Sequence, residues 1–304
     1  MRIDAHCDTA LYLLEEASLR SLPQKHLDFC RLRSNIDLQF FAVFIDSAKT
    51  DGSVAPKVLT VLERLREDIV ANSDLTEQLL WREQLQKDVD KTKILFAVEG
   101  GEVLDGQLPM LKKLFMLGVR SLGLTWNHEN ALGGGADSQK GLTEFGFLVI
   151  EEMNRLGMVV DGAHLSQGSF WNMLAVAKKP PIVSHACCSG LWQHCRNLDD
   201  RQLRALGECG GVVGITFAES FLGASPCVED IVRHIDYAVN KAGLEHVGIG
   251  SDFDGTDLPQ GMNGVCDWHL LTDGLEKLGY CSFETDKIMG GNFLRVLSEN
   301  LPNC

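Results

Sequence analysis

The sequence of 304 residues lacks several features that would assign it to whole classes of protein. No run of eighteen apolar residues occurs, which argues against a membrane-spanning helix. The first six residues are largely charged or polar rather than a continuous apolar stretch, so we expect no secretory signal. Low-complexity tracts and long polar tails are also missing, which argues against extensive disorder.

Positive charge is in short supply as well. The chain has 28 Lys and Arg residues against 42 Asp and Glu residues, which gives a formal net charge of −14. DNA, RNA and anionic membranes attract surfaces of the opposite sign, so neither a nucleic acid nor a membrane is an expected partner. A small-molecule site stays open, because the local charge of a cleft can oppose the global sign.

Zinc-finger spacing is absent from the ten cysteines. Cys187 and Cys188 are adjacent, and neighbouring cysteines rarely meet the geometry of a disulfide. Without a secretory signal, reduced thiols in a cytoplasm are the better interpretation, and most cysteines would serve as small buried hydrophobes. We therefore expect a cytoplasmic protein.

What the chain does contain is an alternation of short apolar runs with amphipathic stretches. Eight runs rich in Val and Ile are predicted strands, at 2–8, 37–44, 94–98, 119–124, 158–161, 181–184, 211–216 and 247–250. The predicted helices are 54–71, 75–88, 108–117, 145–156, 168–177, 199–206 and 228–242, with one or two more in 284–301. Most of the strands lack strict alternation, which fits strands that are covered on both faces.

Eight strands with interposed helices predict an α/β fold, a closed (β/α)8 TIM barrel that takes 1–304 as a single domain. A doubly wound open sheet is the alternative. No Gly-x-Gly-x-x-Gly motif follows the first strand, which weakens the nucleotide-binding version of that alternative.

Functional side chains of such barrels lie at the C-terminal ends of the strands, and here those ends carry metal-binding residue types. The first strand ends with His6 and Asp8, which are two residues apart and can converge on one ion. Glu99 ends the third strand, where it either bridges two ions or serves as a helix cap or salt-bridge partner. The fifth and sixth strands run into His164 and His185. Imidazole and carboxylate together suit zinc, with iron, manganese or cobalt as alternatives.

The eighth strand runs into a further carboxylate, Asp252. A carboxylate there can take a proton from metal-bound water and deliver it to a leaving amine. Asp254 is the rival for this role, but its place before Gly255 is more typical of a turn residue.

This series of strand ends resembles a known family. The matching stretches are DAHCDT at 4–9, AVEGG at 97–101, LTWNHEN at 124–130, DGAHLS at 161–166, SHACCSG at 184–190, RNLDD at 196–200 and GIGSDFDG at 248–255. In this order they are similar to the membrane (renal) dipeptidase family, in its soluble microbial branch, within the metal-dependent amidohydrolase superfamily. The stretches span nearly the whole chain, so the resemblance is specific.

The resemblance implies a zinc-dependent dipeptidase with two zinc ions per chain, a dipeptide substrate and a possible homodimer. The hypothesis that follows is attack on the peptide carbonyl by a hydroxide shared between the ions. The implied roles are one ion on His6 and Asp8, a second ion on His164 and His185, Glu99 as the bridge and Asp252 as the acid and base. Another small amide, a lactone or a phosphoester is the alternative substrate class. A silent metal site in a regulatory protein is a further reading, but such a site would have no need of Asp252.

Arg196 is implied to receive the C-terminal carboxylate of the substrate. A guanidinium offers a planar fork that matches a carboxylate, so this role is chemically sensible. From the residues alone, a surface salt bridge with Asp199 or Asp200 is the alternative.

One stretch departs from the family's pattern. Animal relatives usually carry His directly after the Leu-Thr of the fourth strand, near the scissile carbonyl, and this chain has Trp126 there. His128 is the candidate for the missing oxyanion-stabilising and substrate-binding role, with Asn127 as the alternative. The Gly133-Gly134-Gly135 run that follows predicts a flexible or tightly turned loop over the site.

Overall fold

The computed structural model describes residues 1–15, 17–86 and 90–304. Its strands are β1 Ile3–Asp4, β2 Leu38–Phe44, β3 Thr76–Gln78, β4 Thr92–Glu99, β5 Val119–Gly123, β6 Val159–Asp161, β7 Ile182–Ala186, β8 Val212–Ile215 and β9 Val247–Ile249. Its helices are α1 Phe29–Asn35, α2 Ala55–Ala71, α3 Leu108–Met116, α4 Glu144–Leu156, α5 Gln167–Val176, α6 Asp200–Glu208, α7 Glu219–Leu222, α8 Val228–Ala242, α9 His269–Lys277, α10 Ser282–Asp286 and α11 Asn292–Asn300.

Eight of these strands close into a parallel barrel. β1 pairs with β2 on one side and with β9 on the other, where Asp4 lies opposite Ile249. β2 pairs with β4, and each later strand pairs with the next one as far as β9. The pairing of β1 with β9 rules out an open sheet. The predicted (β/α)8 barrel is therefore confirmed.

The burial of both strand faces explains why most strands lack a strict alternation of apolar and polar residues. On β2, Phe41 and Val43 belong to a large apolar cluster shared with the helices. Phe40 and Ala42 belong to a smaller cluster with residues of the neighbouring strands and α11. Both faces are thus buried, as expected where successive side chains point to opposite sides of a covered parallel sheet.

The predicted helix at 75–88 is wrong for the part that the structure describes, and its last two residues lie outside the described residues. The chain forms β3, which pairs in parallel with the start of β4, and then a 3-10 helix at Arg82–Gln86. The Gln84 side chain accepts hydrogen bonds from the backbone N–H groups of Leu80 and Trp81, at 2.7 and 2.9 Å. Strand pairing and these local bonds override the helix-like apolar spacing.

The first strand is also shorter than predicted. β1 ends at Asp4, and the chain then makes one further parallel bridge, between Cys7 and Phe253. The helix predicted at 228–242 agrees in its bounds with α8, and the closing stretch contains two helices, α10 and α11. Within the described ranges, we find no helix with the length and apolar character needed to cross a bilayer.

Candidate metal centre

The C-terminal ends of the barrel strands bring six polar side chains into one buried cluster, the ligand cluster. They follow or end β1, β4, β6, β7 and β9, as the sequence predicts. Cys7, between two of them, packs instead into the large apolar cluster. The members of the ligand cluster are His6, Asp8, Glu99, His164, His185 and Asp252.

One side of the cluster is formed by Glu99 and two histidines. Glu99 Oε1 lies 2.7 Å from His164 Nε2 and 3.6 Å from His185 Nε2. The two Nε2 atoms are themselves 2.8 Å apart, so all three donors point at the same small volume. This is the donor set that zinc prefers, imidazole nitrogen with carboxylate oxygen.

His6 links this side to the other carboxylates. Its Nε2 atom lies 3.7 Å from Glu99 Oε2, 3.7 Å from Asp8 Oδ2 and 3.8 Å from Asp252 Oδ1. Two groups of three have ligand atoms that lie close enough to share an ion, His6 with Glu99 and His185, and His6 with Asp8 and Asp252. Both groups contain His6, so the cluster is suited to hold a cation beside this residue.

The Nδ1 atoms of His164 and His185, on the ring side opposite the clustered Nε2 atoms, have polar neighbours. His164 Nδ1 lies 2.8 Å from Asn127 Oδ1, and His185 Nδ1 lies 2.9 Å from Ser184 Oγ. With Nδ1–H donating to these oxygens, Nε2 of each ring is free to act as a ligand. Asn127 therefore has a clear structural role, as the partner that orients His164.

Two buried aspartates that the sequence-based ligand set leaves out hold the backbone of the cluster. Asp161 Oδ1 accepts hydrogen bonds from the N–H groups of Ala163 and Ser184, both at 2.9 Å. It thus ties together the two segments that carry His164 and His185. Asp161 lies within the DGAHLS stretch, so its position in a matched motif was the available signal.

Asp4, the second buried aspartate, ties β1 to the segment that follows β9. Its carboxylate accepts hydrogen bonds from the backbone N–H of Ser251 at 2.8 Å and from the Ser251 hydroxyl at 2.6 Å. Burial raises the pKa of Asp4 to about 6, although these hydrogen bonds lower it. Asp4 therefore positions the residues next to His6 and Asp252.

Backbone conformation is unusual at two members of the cluster. His164 and Asp252 both have a φ of 65°. This left-handed region is uncommon for residues other than glycine, and such positions concentrate at functional sites. The bonds made by Asp161 and Asp4 lie beside these residues and help to hold the conformation.

The electrostatics of the cluster favour an added positive charge. Burial raises the pKa values of Asp8 and Glu99, and burial together with these two carboxylates raises the pKa of Asp252 to about 8. Burial, aided by neighbouring cationic groups, holds the pKa values of His164 and His185 well below their usual range.

His6 differs from the other two histidines. Burial alone would lower its pKa, but the carboxylates of Glu99, Asp8 and Asp252 outweigh this effect and raise the pKa to about 10. Among the described residues, the buried atoms His6 Nε2 and Asp8 Oδ1 have no hydrogen-bond partner. Orphaned donor atoms around one small volume are what a site for divalent cations requires, so these residues fit the metal that the sequence implies.

Arg196 lies beside the ligand cluster and is only 6% exposed. Its Nη2 atom lies 2.9 Å from His185 Nε2, and within the described part of the chain its buried Nε has no partner. The alternative salt bridges do not form, because the Asp199 carboxylate caps α6 and the Asp200 carboxylate bonds Lys241. With His164, Arg196 lines a cavity of about 710 Å³.

His128 lies outside the ligand cluster. Its side chain is 53% exposed, and its Nδ1 atom lies 3.1 Å from the Asp137 carboxylate. The ring centroid of Trp126 lies 5.4 Å from that of His128 and 6.0 Å from that of His164. A role for His128 in catalysis or substrate binding stays a prediction.

Asp254 is engaged in structural bonds, in line with its interpretation as a turn residue. Its carboxylate accepts hydrogen bonds from the Thr9 hydroxyl at 2.5 Å and from the His26 backbone N–H at 2.8 Å. Its φ of 66° is also in the left-handed region. These bonds join the loops that follow β1 and β9.

Comparison with known proteins identifies relatives along the whole chain. Residues 1–302 match the family model described as membrane dipeptidase, peptidase family M19. Dipeptidase 3 of Mus musculus is 30% identical over 316 residues, which cover 98% of this chain and 64% of the mouse protein. The chain thus spans about two thirds of the mouse relative's own length.

Two solved structures are similar over almost their full length. A metallopeptidase described as dipeptidase AC has a TM-score of 0.92 and 27% identity, with 99% of this chain and 98% of that chain covered. A metallopeptidase from Rhodobacter sphaeroides, bound to a phosphinate mimic of the dipeptide L-Ala-D-Ala, has a TM-score of 0.91 and 27% identity. That match covers 98% of this chain and 99% of the other.

Proposed function

Because the chain belongs to the membrane dipeptidase family, peptidase family M19, we propose that it is a zinc-dependent dipeptidase with two ions in its ligand cluster. Membership of this family makes the chain a metallopeptidase homologue and a hydrolase that acts on dipeptides. The proposal adds the identity of the metal, the number of ions and the roles of individual residues. The observation that carries it is the convergence of unpartnered imidazole and carboxylate atoms at the strand ends.

The proposed ligand sets follow the two halves of the cluster. His6 and Asp8 would hold one ion, His164 and His185 would hold the other, and Glu99 would contribute to both. The position of Glu99 supports this, since Oε2 faces His6 while Oε1 faces His164 and His185. When bound, such ions supply Lewis acidity that polarises the scissile carbonyl and favours a water nucleophile at neutral pH.

Asp252 is proposed to move the proton. Its Oδ1 atom lies at the cluster, 3.8 Å from His6 Nε2, and the side chain is largely buried. The carboxylate takes a proton from the attacking water and delivers it to the departing nitrogen as the C–N bond breaks. Hydrolysis is then balanced, because the oxygen and one proton of water end in the new carboxylic acid group and the other proton ends on the new amine.

Arg196 is proposed to bind the C-terminal carboxylate of the dipeptide. A guanidinium with a buried, unpartnered Nε beside the ligand cluster supports this role. The Rhodobacter sphaeroides structure supports it too, since that relative binds a dipeptide mimic. A carboxylate held so close to the cluster would limit substrates to two residues.

The test is a dipeptide panel assayed before chelation, after chelation and after zinc is restored. L,L- and L,D-dipeptides should be hydrolysed, chelation should abolish turnover, and zinc should restore it. C-terminal amides of the same dipeptides should be poor substrates for the wild type, because the charge that Arg196 recognises is gone. Turnover that survives complete removal of metal would refute the proposal.

Several expectations from the sequence stay predictions. They are a single domain at 1–304, a cytoplasmic location, a homodimer and the absence of nucleic-acid and membrane partners. Gel filtration of the purified chain would test the homodimer.

A further inference from the structure

A pair of aromatic side chains lies half-buried at the mouth of the barrel, outside both apolar clusters that the described residues form. Phe44 and Trp126 stack with ring centroids 4.8 Å apart and an angle of 35° between the ring planes. We call this pair the aromatic wall. Large aromatic side chains that fill no core and keep exposed surface next to a polar site are suited to contact a ligand.

Phe44 is placed at the ligand cluster by strand register. It is the last residue of β2 and lies directly opposite Glu99 of β4. Side chains alternate along a strand, so Phe44 shares the inner side of the barrel with Phe40 and Ala42. One end of the aromatic wall therefore lies beside Glu99, the residue that is proposed to bind both ions.

Trp126 completes the wall on the side of His164. It follows β5, and its ring lies 6.0 Å from the ring of His164. Arg196 lies at the other end of the same row, since its guanidinium contacts His185, which in turn contacts His164. A chain of contacts thus leads from Arg196 through His185 and His164 to Trp126.

One placement of a dipeptide uses all of these contacts. With its C-terminal carboxylate at Arg196 and its peptide bond among the ligands, its N-terminal residue extends towards the aromatic wall. An apolar side chain there would cover aromatic surface, which is favourable because apolar area is removed from water. A polar side chain in contact with the wall would lose water without gaining a hydrogen bond.

We propose that Phe44 and Trp126 form the subsite for the side chain of the N-terminal residue and select apolar side chains there. This inference rests on the proposed dipeptidase function. It assigns substrate preference to two residues that take no part in proton transfer or metal binding.

The test compares Leu-Ala, Ser-Ala and Gly-Ala as substrates of the zinc-loaded protein. The wild type should favour Leu-Ala over Ser-Ala in kcat/KM by at least about tenfold, the scale that apolar pockets reach. Trp126→Ala and Phe44→Ala should each remove most of this preference, yet change kcat/KM for Gly-Ala by less than about threefold. Phe283→Ala is the matched control, because Phe283 is 64% exposed on α10, away from the wall.

Zinc content and the Gly-Ala rate separate this role from a structural one. An equal loss on Leu-Ala and Gly-Ala would mean that Trp126 acts through His164, and would overturn the inference. An unchanged Leu-Ala to Ser-Ala ratio in both variants, or a wild type without the preference, would overturn it while the dipeptidase proposal stands. A wild type that hydrolyses none of the three dipeptides would overturn both. Should Trp126→Ala fail to fold, Phe44→Ala and Trp126→Leu give the same comparison.

Discussion

The ligand cluster and the rim around it are held in different ways. The cluster sits on strand ends, and buried Asp4 and Asp161 bind the backbone that carries it. The rim is built from half-buried aromatics and from exposed ion pairs such as His128 with Asp137. Rigid strand ends are suited to fix the atoms of a reaction, whereas an exposed rim can vary without disturbing them. The proposed function accordingly places the chemistry in the ligand cluster and the substrate preference in the rim.

The largest expected effect is in the cluster itself, from Asp252→Asn. The amide keeps the size of the side chain but cannot take up the proton, so kcat should fall by about 10² to 10⁴ while bound zinc is retained. Steady-state kinetics with metal analysis would check this. Turnover at the wild-type rate would show that another group moves the proton.

The next largest effect should come from the support of the cluster, in Asp161→Ala. Two buried backbone N–H groups lose their acceptor, so the free energy of unfolding should fall by about 1 to 3 kcal/mol. Zinc affinity should fall about 10- to 100-fold, because the segments of His164 and His185 are no longer tied. Denaturant unfolding and zinc titration measure the two quantities. Asp161→Asn is the control, since its amide oxygen can still accept, and equal losses in both variants would contradict this account.

Asn127→Ala tests whether Asn127 supports the ligand cluster or belongs only to the rim. The substitution removes the oxygen that His164 Nδ1 contacts at 2.8 Å. Zinc affinity should fall by about 10-fold, at the lower end of the range for such supporting groups. Competition with a chelator of known affinity would measure it, and an unchanged affinity would place Asn127 with the rim.

The smallest expected effect belongs to the rim, in His128→Ala. If exposure and the pairing with Asp137 describe its role, kcat/KM should change by less than about threefold, well below the 10²- to 10³-fold typical of an oxyanion donor. Kinetics on one good dipeptide would decide it. A loss on the larger scale would establish the role that the sequence predicts for His128.

Much of the site was predictable because strand ends meet in a parallel barrel. His6, Glu99 and His185 lie far apart in the chain, yet each follows or ends an apolar run, so barrel topology alone brings them together. Asp4 and Asp161 lie in matched stretches, but their role as supports was missed because it depends largely on bonds to backbone N–H groups, which residue types do not reveal. The aromatic wall could not be foreseen either, because Trp126 lies in the loop after β5 and strand patterns do not fix the path of a loop.

The wrong prediction of a helix at 75–88 has a similar cause. Its apolar residues have helical spacing, but β3 gains backbone bonds from β4, a partner that local sequence does not specify. Tertiary pairing therefore decided the outcome there.

Anomalous diffraction at the zinc edge, from crystals of the zinc-loaded protein, would show whether a pair of zinc ions occupies the ligand cluster. Two peaks are expected in the cluster, one in contact with His6 and Asp8 and one in contact with His164 and His185, with Glu99 touching both. A single peak, or peaks outside the cluster, would contradict the proposed pair of ions.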